Sequence, residues 1–341
     1  SQRTIERKRE YREVDIFLPR VLHKQGRSWR ELNYERDILR AIDWYQLGAV
    51  APINLGEAAR LQEIRATIHL QDEAVINKKS QASAAHNLEI AFFVRRLGDV
   101  IPNPWHAARL VKATLSAYRE KGVDEETLYT HRLYLSEYLK RRLRNHIEKL
   151  AEAVFREKLE AGKIQFNLQA DGALNYQLEK TLVVSIAPEA RPMTHPHGDA
   201  LQLNLFEQVF EAEFNNLETD FALYLDKQNA IQWWHRIAAK HGYFLQGWRR
   251  DRVYPDFVAC LQPRKKGAQR LCIFETKGQH LEGNSDTTYK QKLIETLETA
   301  YRNATPHGTM DITAPNNKTM SFRMLFEDSW RETVNETIAD N

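Results

Sequence analysis

Hydrophobic and polar positions change period several times along the chain, and each change predicts a different element. Val14-Asp15-Ile16-Phe17-Leu18-Pro19 reads as a strand ended by proline. Over Glu35–Leu47, Ile38, Leu39, Ile42 and Leu47 fit one face of a helix, with Gly48 as its stop signal. Residues 64–70 read as another strand. From about residue 85 to 161 the period is helical. Leu88, Ala91, Phe92 and Leu97 form one stripe, Gly98 ends it, and Pro102-Asn103-Pro104 restarts the chain into a helix running to about Lys121. The longest helix carries Leu135, Leu139, Leu143, Ile147, Leu150 and Val154 on its apolar face and Lys140, Arg141, Arg142 and Arg144 on the other. Residues 163–186 switch to alternation. Ile164, Phe166 and Leu168, a turn at Asp171-Gly172, and Thr181–Ile186 predict a hairpin. Residues 188–199 hold Pro188, Pro192 and Pro196 and no period, which predicts a linker.

The second half is denser in signals. Phe206, Val209, Phe210, Phe214, Leu217, Phe221 and Leu225 recur at steps of three and four, predicting a helix over Leu205–Leu225 that carries Glu211, Glu213 and Glu218. Ala230–Ile237 and Tyr243–Gln246 predict short strands. Tyr254–Leu261 and Leu271–Gly278 are apolar for most of their length, as strands covered on both faces are. The short basic connection through Pro263-Arg264-Lys265-Lys266-Gly267 predicts an antiparallel hairpin between them. Tyr289-Lys290-Gln291-Lys292 opens a helix with Leu293, Leu297 and Tyr301 on one face, and Ser321–Phe326 predicts a closing strand.

The polar residues interrupting the apolar strands carry the chemistry. Alternation puts Glu275 and Lys277 on one face. Antiparallel pairing brings Asp256, at the start of its strand, beside them at one sheet edge. Two carboxylates there suit a hard divalent cation, which takes oxygen ligands, and a lysine can offset charge on a phosphoryl group. Trp233, Trp234 and Trp248 read as core or as base-stacking rings. Arg249, Arg250 and Arg252, with the 264–266 loop, read as phosphate contacts. Cys260 and Cys272 read as strand packing residues. His195-Pro196-His197-Gly198-Asp199 has the look of a metal-ligand string but sits in the predicted linker, where a plain loop is the better reading.

Composition limits the rest. Lys and Arg total 49 against 46 Asp and Glu, so the net charge of +3 says nothing about nucleic acid, and the basic residues matter only through their clusters at 140–144, 249–252 and 264–266. With 42% hydrophobic residues the chain can fill a core. Two cysteines cannot make a disulfide framework. There is no apolar run of membrane length and no apolar block of a signal peptide, so a cytoplasmic protein without a membrane partner is expected. No G-x-x-x-x-G-K-[ST] or G-x-G-x-x-G string occurs, and no nucleotide motor is expected within this chain.

The P-D-x(18)-E-x-K pattern at Asp256, Glu275 and Lys277 resembles that of the PD-(D/E)xK nuclease superfamily. The wording around it narrows the likeness. Asn216-Leu217-Glu218-Thr219-Asp220-Phe221-Ala222, Trp233-Trp234-His235-Arg236, Gln246-Gly247-Trp248-Arg249-Arg250, Tyr254-Pro255-Asp256-Phe257 and Glu275-Thr276-Lys277-Gly278 are similar to the C-terminal nuclease region of helicase-linked enzymes of the type III restriction kind. The resemblance covers about residues 205–300 and, more thinly, 10–50, through Phe17-Leu18-Pro19 and Trp29–Glu35. It implies an α/β (α+β) fold with a restriction-endonuclease-like central mixed sheet flanked by helices, preceded by a mainly helical region with a few strands. The divisions expected are 1–187, a linker at 188–200, and a nuclease domain at 201–341. The resemblance also implies Asp256, Glu275 and the Thr276 carbonyl as ligands of magnesium, for which manganese can substitute, with Lys277 as the catalytic lysine and Glu218 as the helix carboxylate that completes or orients the site. Trp248, Arg249, Arg250, Tyr289, Lys290, Arg264, Lys265 and Lys266 are the expected nucleic-acid contacts. The implied activity is cleavage of DNA in defence against foreign DNA. The implied partners are a helicase or translocase motor and a modification or specificity subunit. The competing expectations are a non-catalytic module that docks nucleic acid or a helicase, and an RNA-cutting nuclease of the same fold.

Overall fold

The computed structural model describes residues 2–50, 90–262, 270–278, 284–303 and 319–339. The expected strand at 64–70, Leu88, and the basic loop of Arg264, Lys265 and Lys266 lie outside them. The chain divides into two compact units, one of residues 1–34 with 157–341 and one of residues 35–156.

The first unit is built on a four-stranded sheet of β8 (Ile231–Arg236), β9 (Phe257–Leu261), β10 (Arg270–Lys277) and β11 (Thr319–Phe326), in the order β11-β10-β9-β8. β8 and β10 both run antiparallel to β9, with Ile273 opposite Val258 and His235 opposite Val258 on the other side. β11 runs parallel to β10, with Glu275 opposite Met324. A parallel pair needs a crossover, and α7 (Ser285–Asn303) falls in that connection. α6 (Asn216–Asp226) precedes the sheet and α8 (Trp330–Ala339) follows it. Every residue of β9 is buried, as are Leu271–Thr276 of β10, because both faces are covered. On one face Phe221 packs edge-on against Phe257 (4.8 Å), Phe274 (5.2 Å) and Trp330 (5.6 Å). Such contacts add to the burial of large apolar rings.

Three smaller antiparallel sheets belong to the same unit. β1 (Gln2–Glu6) pairs with β7 (Thr181–Ser185), and β2 (Phe17–Leu18) with β6 (Tyr176–Gln177). β3 (Val21–Gln25) pairs with both β4 (Ser28–Glu31) and β5 (Ile164–Phe166). The second unit is helical: α1 (Trp44–Val50), α2 (Ile90–Arg96), α3 (Pro104–Glu120), α4 (Glu125–Thr130) and most of α5 (Arg132–Glu160).

Several sequence expectations are corrected. The helix over Leu205–Leu225 is confined to α6, because Asn215 caps it: its side chain accepts from the Glu218 N–H (2.9 Å), and Glu218 returns the bond to the Asn215 N–H (3.0 Å). Upstream, Phe206 and Phe210 are buried on extended backbone, bridged to Arg7 and Pro192. The predicted hairpin at 163–186 is absent, since its halves pair with β3 and β1 from the chain start instead. Residues 188–200 pack into the first unit rather than forming a linker. Met193 joins the core, and buried His195 bonds Asp226 through Nε2 at 2.7 Å. Over Tyr243–Gln246 only the Leu245–Val253 bridge forms. The helix expected over Glu35–Leu47 is instead one π turn, one 3-10 turn and α1, and Gly48 lies inside α1. On α2 the buried position is Phe93, with Leu97 buried just past its end, while Ala91 is exposed.

Candidate active site

Asp256 sits one residue ahead of β9, where its N–H still donates to the Phe274 carbonyl (2.9 Å) and its own carbonyl accepts from the Ile237 N–H (2.8 Å). That backbone registry holds it beside the end of β10. Its Oδ2 accepts from both the N–H and the hydroxyl of Thr276, each at 2.8 Å. On an antiparallel edge the N–H and carbonyl of one residue face the same neighbour, so the Thr276 carbonyl is turned to the Asp256 side as well.

Glu275 is the most constrained member. It is 3% exposed, and its Oε1 receives Lys277 Nζ at 3.2 Å and Lys290 Nζ at 3.0 Å. Among the described residues its buried Oε2 has no hydrogen-bond partner. Burial, and then the charge of Asp256, push its pKa up to about 7, against the pull of Lys290 and Lys277. Burial works against the Lys290 ammonium, but the carboxylates of Glu275 and Asp286 outweigh it and raise its pKa. Alternation along β10 places Glu275 and Lys277 on one face, and Lys290 descends onto that face from α7.

Asp256, Glu275, Thr276, Lys277, Lys290 and Glu218 all line one cleft of about 1160 Å³ in the first unit. Glu218 is engaged there: besides its capping bond, both its oxygens accept from Arg236 Nη2 at 3.3 Å. It lines the wall and anchors α6 rather than offering a free carboxylate. Arg250, Arg252, Tyr254 and Asp286 line the same cleft, and sequence reading had assigned no role there to Tyr254 or Asp286. The signal for Asp286 was present in its i, i+4 spacing to Lys290, which it meets at 3.5 Å. Lys240, also on the wall, adopts φ of +64°, a region that side chains other than Gly, Asn and Asp seldom enter.

The expected nucleic-acid contacts divide. Arg250 is exposed on the cleft. Trp248 is 1% exposed and packs edge-on against Tyr289 at 5.2 Å, so its ring serves the core. Tyr289 is buried too, its hydroxyl accepting from the Arg249 N–H at 3.2 Å. The Arg249 guanidinium lies over the Tyr289 ring (4.6 Å) and donates to Ser285 Oγ at 2.7 Å. Gly247 makes this packing feasible: a Cβ there would stand 2.5 Å from the Tyr289 hydroxyl and 2.8 Å from Leu293. Trp233 and Trp234 are core residues, and Trp234 Nε1 donates to Asp226 at 3.0 Å. The His195, His197 and Asp199 string does not converge on a point, since His195 is held by Asp226 while His197 and Asp199 are exposed.

The residues fit a hard divalent cation at Asp256 and Glu275. Lys277 and Lys290 both meet Oε1, so among the described residues the buried Oε2 is left without a hydrogen-bond partner, an oxygen open to a hard cation beside Asp256. Among the described residues no group of three or more His, Cys, Asp or Glu side chains is arranged to hold a metal ion, so the remaining ligands would be the Thr276 carbonyl and water. No helix among the described residues is long and apolar enough to cross a membrane. Comparison with protein-family models, with curated proteins and with solved structures finds no match to this chain.

Proposed function

We propose that the chain is a magnesium-dependent endonuclease that hydrolyses DNA phosphodiester bonds, using Asp256, Glu275 and Lys277 in a PD-(D/E)xK arrangement. The observation that carries the reading is the buried, unpartnered Glu275 Oε2 beside Asp256, with two lysine ammonium groups on the opposite oxygen. The order α6, β8, β9, β10, α7, β11, with the last strand parallel to its neighbour, supports it as the restriction-endonuclease-like core the resemblance implies.

Bound magnesium would supply Lewis acidity toward the scissile phosphate and lower the pKa of a water. Asp256 and Glu275 would hold the cation, and the Thr276 N–H and hydroxyl keep Asp256 aimed. Lys277 offsets the charge that develops on the phosphate oxygens and positions the attacking water. Lys290 orients Glu275 from the α7 side. Arg250 and Arg252 on the cleft wall meet the flanking phosphates, which positions the strand without reading its sequence. Action with a helicase or translocase partner, in restriction of foreign DNA, is what the sequence resemblance implies for such a site.

Replacing Asp256 by Asn, Glu275 by Gln or Lys277 by Met is expected to lower cleavage of plasmid DNA by about 10²-fold or more. The circular dichroism spectrum and thermal midpoint should remain close to the parent's. Three variants that cut like the parent would remove the assignment.

A further inference from the structure

We propose that α1 and α3 of the second unit present a stacking platform for single-stranded DNA, built on Tyr45 and Trp105 and flanked by Arg40, Arg109 and Lys112. The starting observation is exposure. Trp105 is 79% exposed and Tyr45 52%, whereas Trp44, Trp233, Trp234, Trp248 and Trp330 are buried and Trp29 is half-buried. Leaving a large ring in water forgoes the stabilisation its burial would bring, so such rings mark contact surfaces when they gather.

They do gather, and the helix pair shows why. Trp44 of α1 stacks on His106 of α3, with centroids 5.1 Å apart and planes inclined by 12°. Four residues on, Gly48 meets Leu110 so closely that a Cβ would stand 2.3 Å from the Leu110 carbonyl oxygen, and Gly48's own carbonyl accepts from Thr114 Oγ1 at 3.2 Å. Contacts advancing in the same sense along both helices mean the helices run parallel. Each residue turns about 100° around its helix axis. In a parallel pair facing each other through Trp44 and His106, the residue after the first and the residue before the second therefore turn to the same side. Those residues are Tyr45 and Trp105.

The same rotation brings Arg109 and Lys112, at i+4 and i+7 from Trp105, onto that side of α3, and both are exposed. Arg40 is exposed just ahead of α1, and its charge, like that of Arg109, acts on His106. Among the described residues none of these three cations forms an ion pair. Glu35 lies 3.7 Å from His106 Nδ1, and exposed Asp43 stands just ahead of α1. By contrast, on α5 Lys140 and Arg144 share Asp99 at 2.8 and 3.3 Å, so that basic face is partly neutralised.

Two rings with cations beside them match a strand that offers base faces and phosphates alternately. A duplex hides its base faces, so the strand must be single. Neither ring nor cation reads a 2′-hydroxyl, so recognition rests on base faces and phosphates, which single-stranded DNA offers. The inference stands apart from the chemistry of the cleft.

The test is fluorescence anisotropy of the full chain with an end-labelled oligothymidylate of roughly 12 nucleotides, in chelator so that nothing is cut. Trp105→Ala and Tyr45→Ala are each expected to weaken binding about tenfold, with Trp105→Phe retaining most of it. Arg109→Gln should weaken binding and reduce the salt slope by about one. All three side chains are exposed, so the thermal midpoint should match the parent's, and Trp105→Ala should leave binding to a duplex of the same length unchanged. Any of four results would overturn the inference: no binding of the single strand by the parent, unchanged binding by the two alanine variants, an equal loss on duplex, or tighter binding of oligouridylate than of DNA.

Discussion

Two buried residues of the first unit set how the protein meets acid. His235 is pushed down to about 3, first by burial and then by the charges of Arg7 and Arg236. A histidine kept neutral in the fold is protonated first in the unfolded chain, so its effect on stability is absent above about pH 6.5 and grows as pH falls toward 3. Burial alone would raise Asp226, but the N–H groups of Gln202 and Leu203, Trp234 Nε1 and His195 outweigh it and hold its pKa below the ordinary carboxylate value. Its stabilisation is present above about pH 4 and is lost as pH falls below that. Each contributes a loss of stability on acidification, His235 from about pH 6.5 and Asp226 below about pH 4, while Glu275, with its pKa raised to about 7, contributes a gain over the first of these windows. Replacing His235 by Gln should flatten the decline between about pH 6.5 and 4 and leave the later one in place. Urea midpoints measured across that range check it; a slope unchanged in the variant would assign the decline elsewhere.

At the scale of elements, the site depends on how α6 and α7 are pinned. The Asn215 cap starts α6 and binds Glu218 in the same exchange, and Glu218 in turn holds Arg236 of β8. Asn215→Ala should cost about 1 kcal/mol of stability, read by thermal or denaturant unfolding, with only a modest loss of cleavage. Gly247→Ala should do more to the site. Its Cβ would press on Tyr289 and Leu293, pushing α7 and with it Lys290 from Glu275, so a cost of about 1–3 kcal/mol should come with weaker cleavage. If Gly247→Ala keeps both stability and activity, α7 is not held through that contact. These elements also show what sequence could yield. The β9–β10 hairpin was legible because both strands are apolar throughout and the polar exceptions fall at one end. The pairing of β5 with β3 and of β7 with β1 was not, because alternation gives a strand its face but not its partner, and the partners lie far away in the chain. The start of α6 was missed because Phe206, Phe210 and Phe214 continue the helical spacing, and only the local capping exchange at Asn215 breaks it.

On the scale of the whole molecule, the chain keeps its two kinds of chemistry in separate units. The first holds the cleft of Asp256 and Glu275, and the second carries exposed rings and cations that sequence reading passed over. Trp105 and Tyr45 had no signal in one dimension, since their falling on one side depends on two helices distant in sequence lying parallel. Asp256, Glu275 and Lys277 were legible because strand pairing alone brings them together, whereas the engagement of Glu218 with Arg236 and the burial of Trp248 needed the packed structure. A divalent cation that binds the folded cleft should also raise the thermal midpoint, and Glu275→Gln should abolish that rise without changing the midpoint in chelator by a comparable amount. The most direct measurement is cleavage of supercoiled plasmid by the purified chain, parent against Glu275→Gln, with magnesium and with chelator. The expected result is nicked or linear product only from the parent and only with magnesium. Cutting that survives chelator, or that Glu275→Gln performs as well as the parent, would contradict a metal-dependent nuclease site at Asp256 and Glu275.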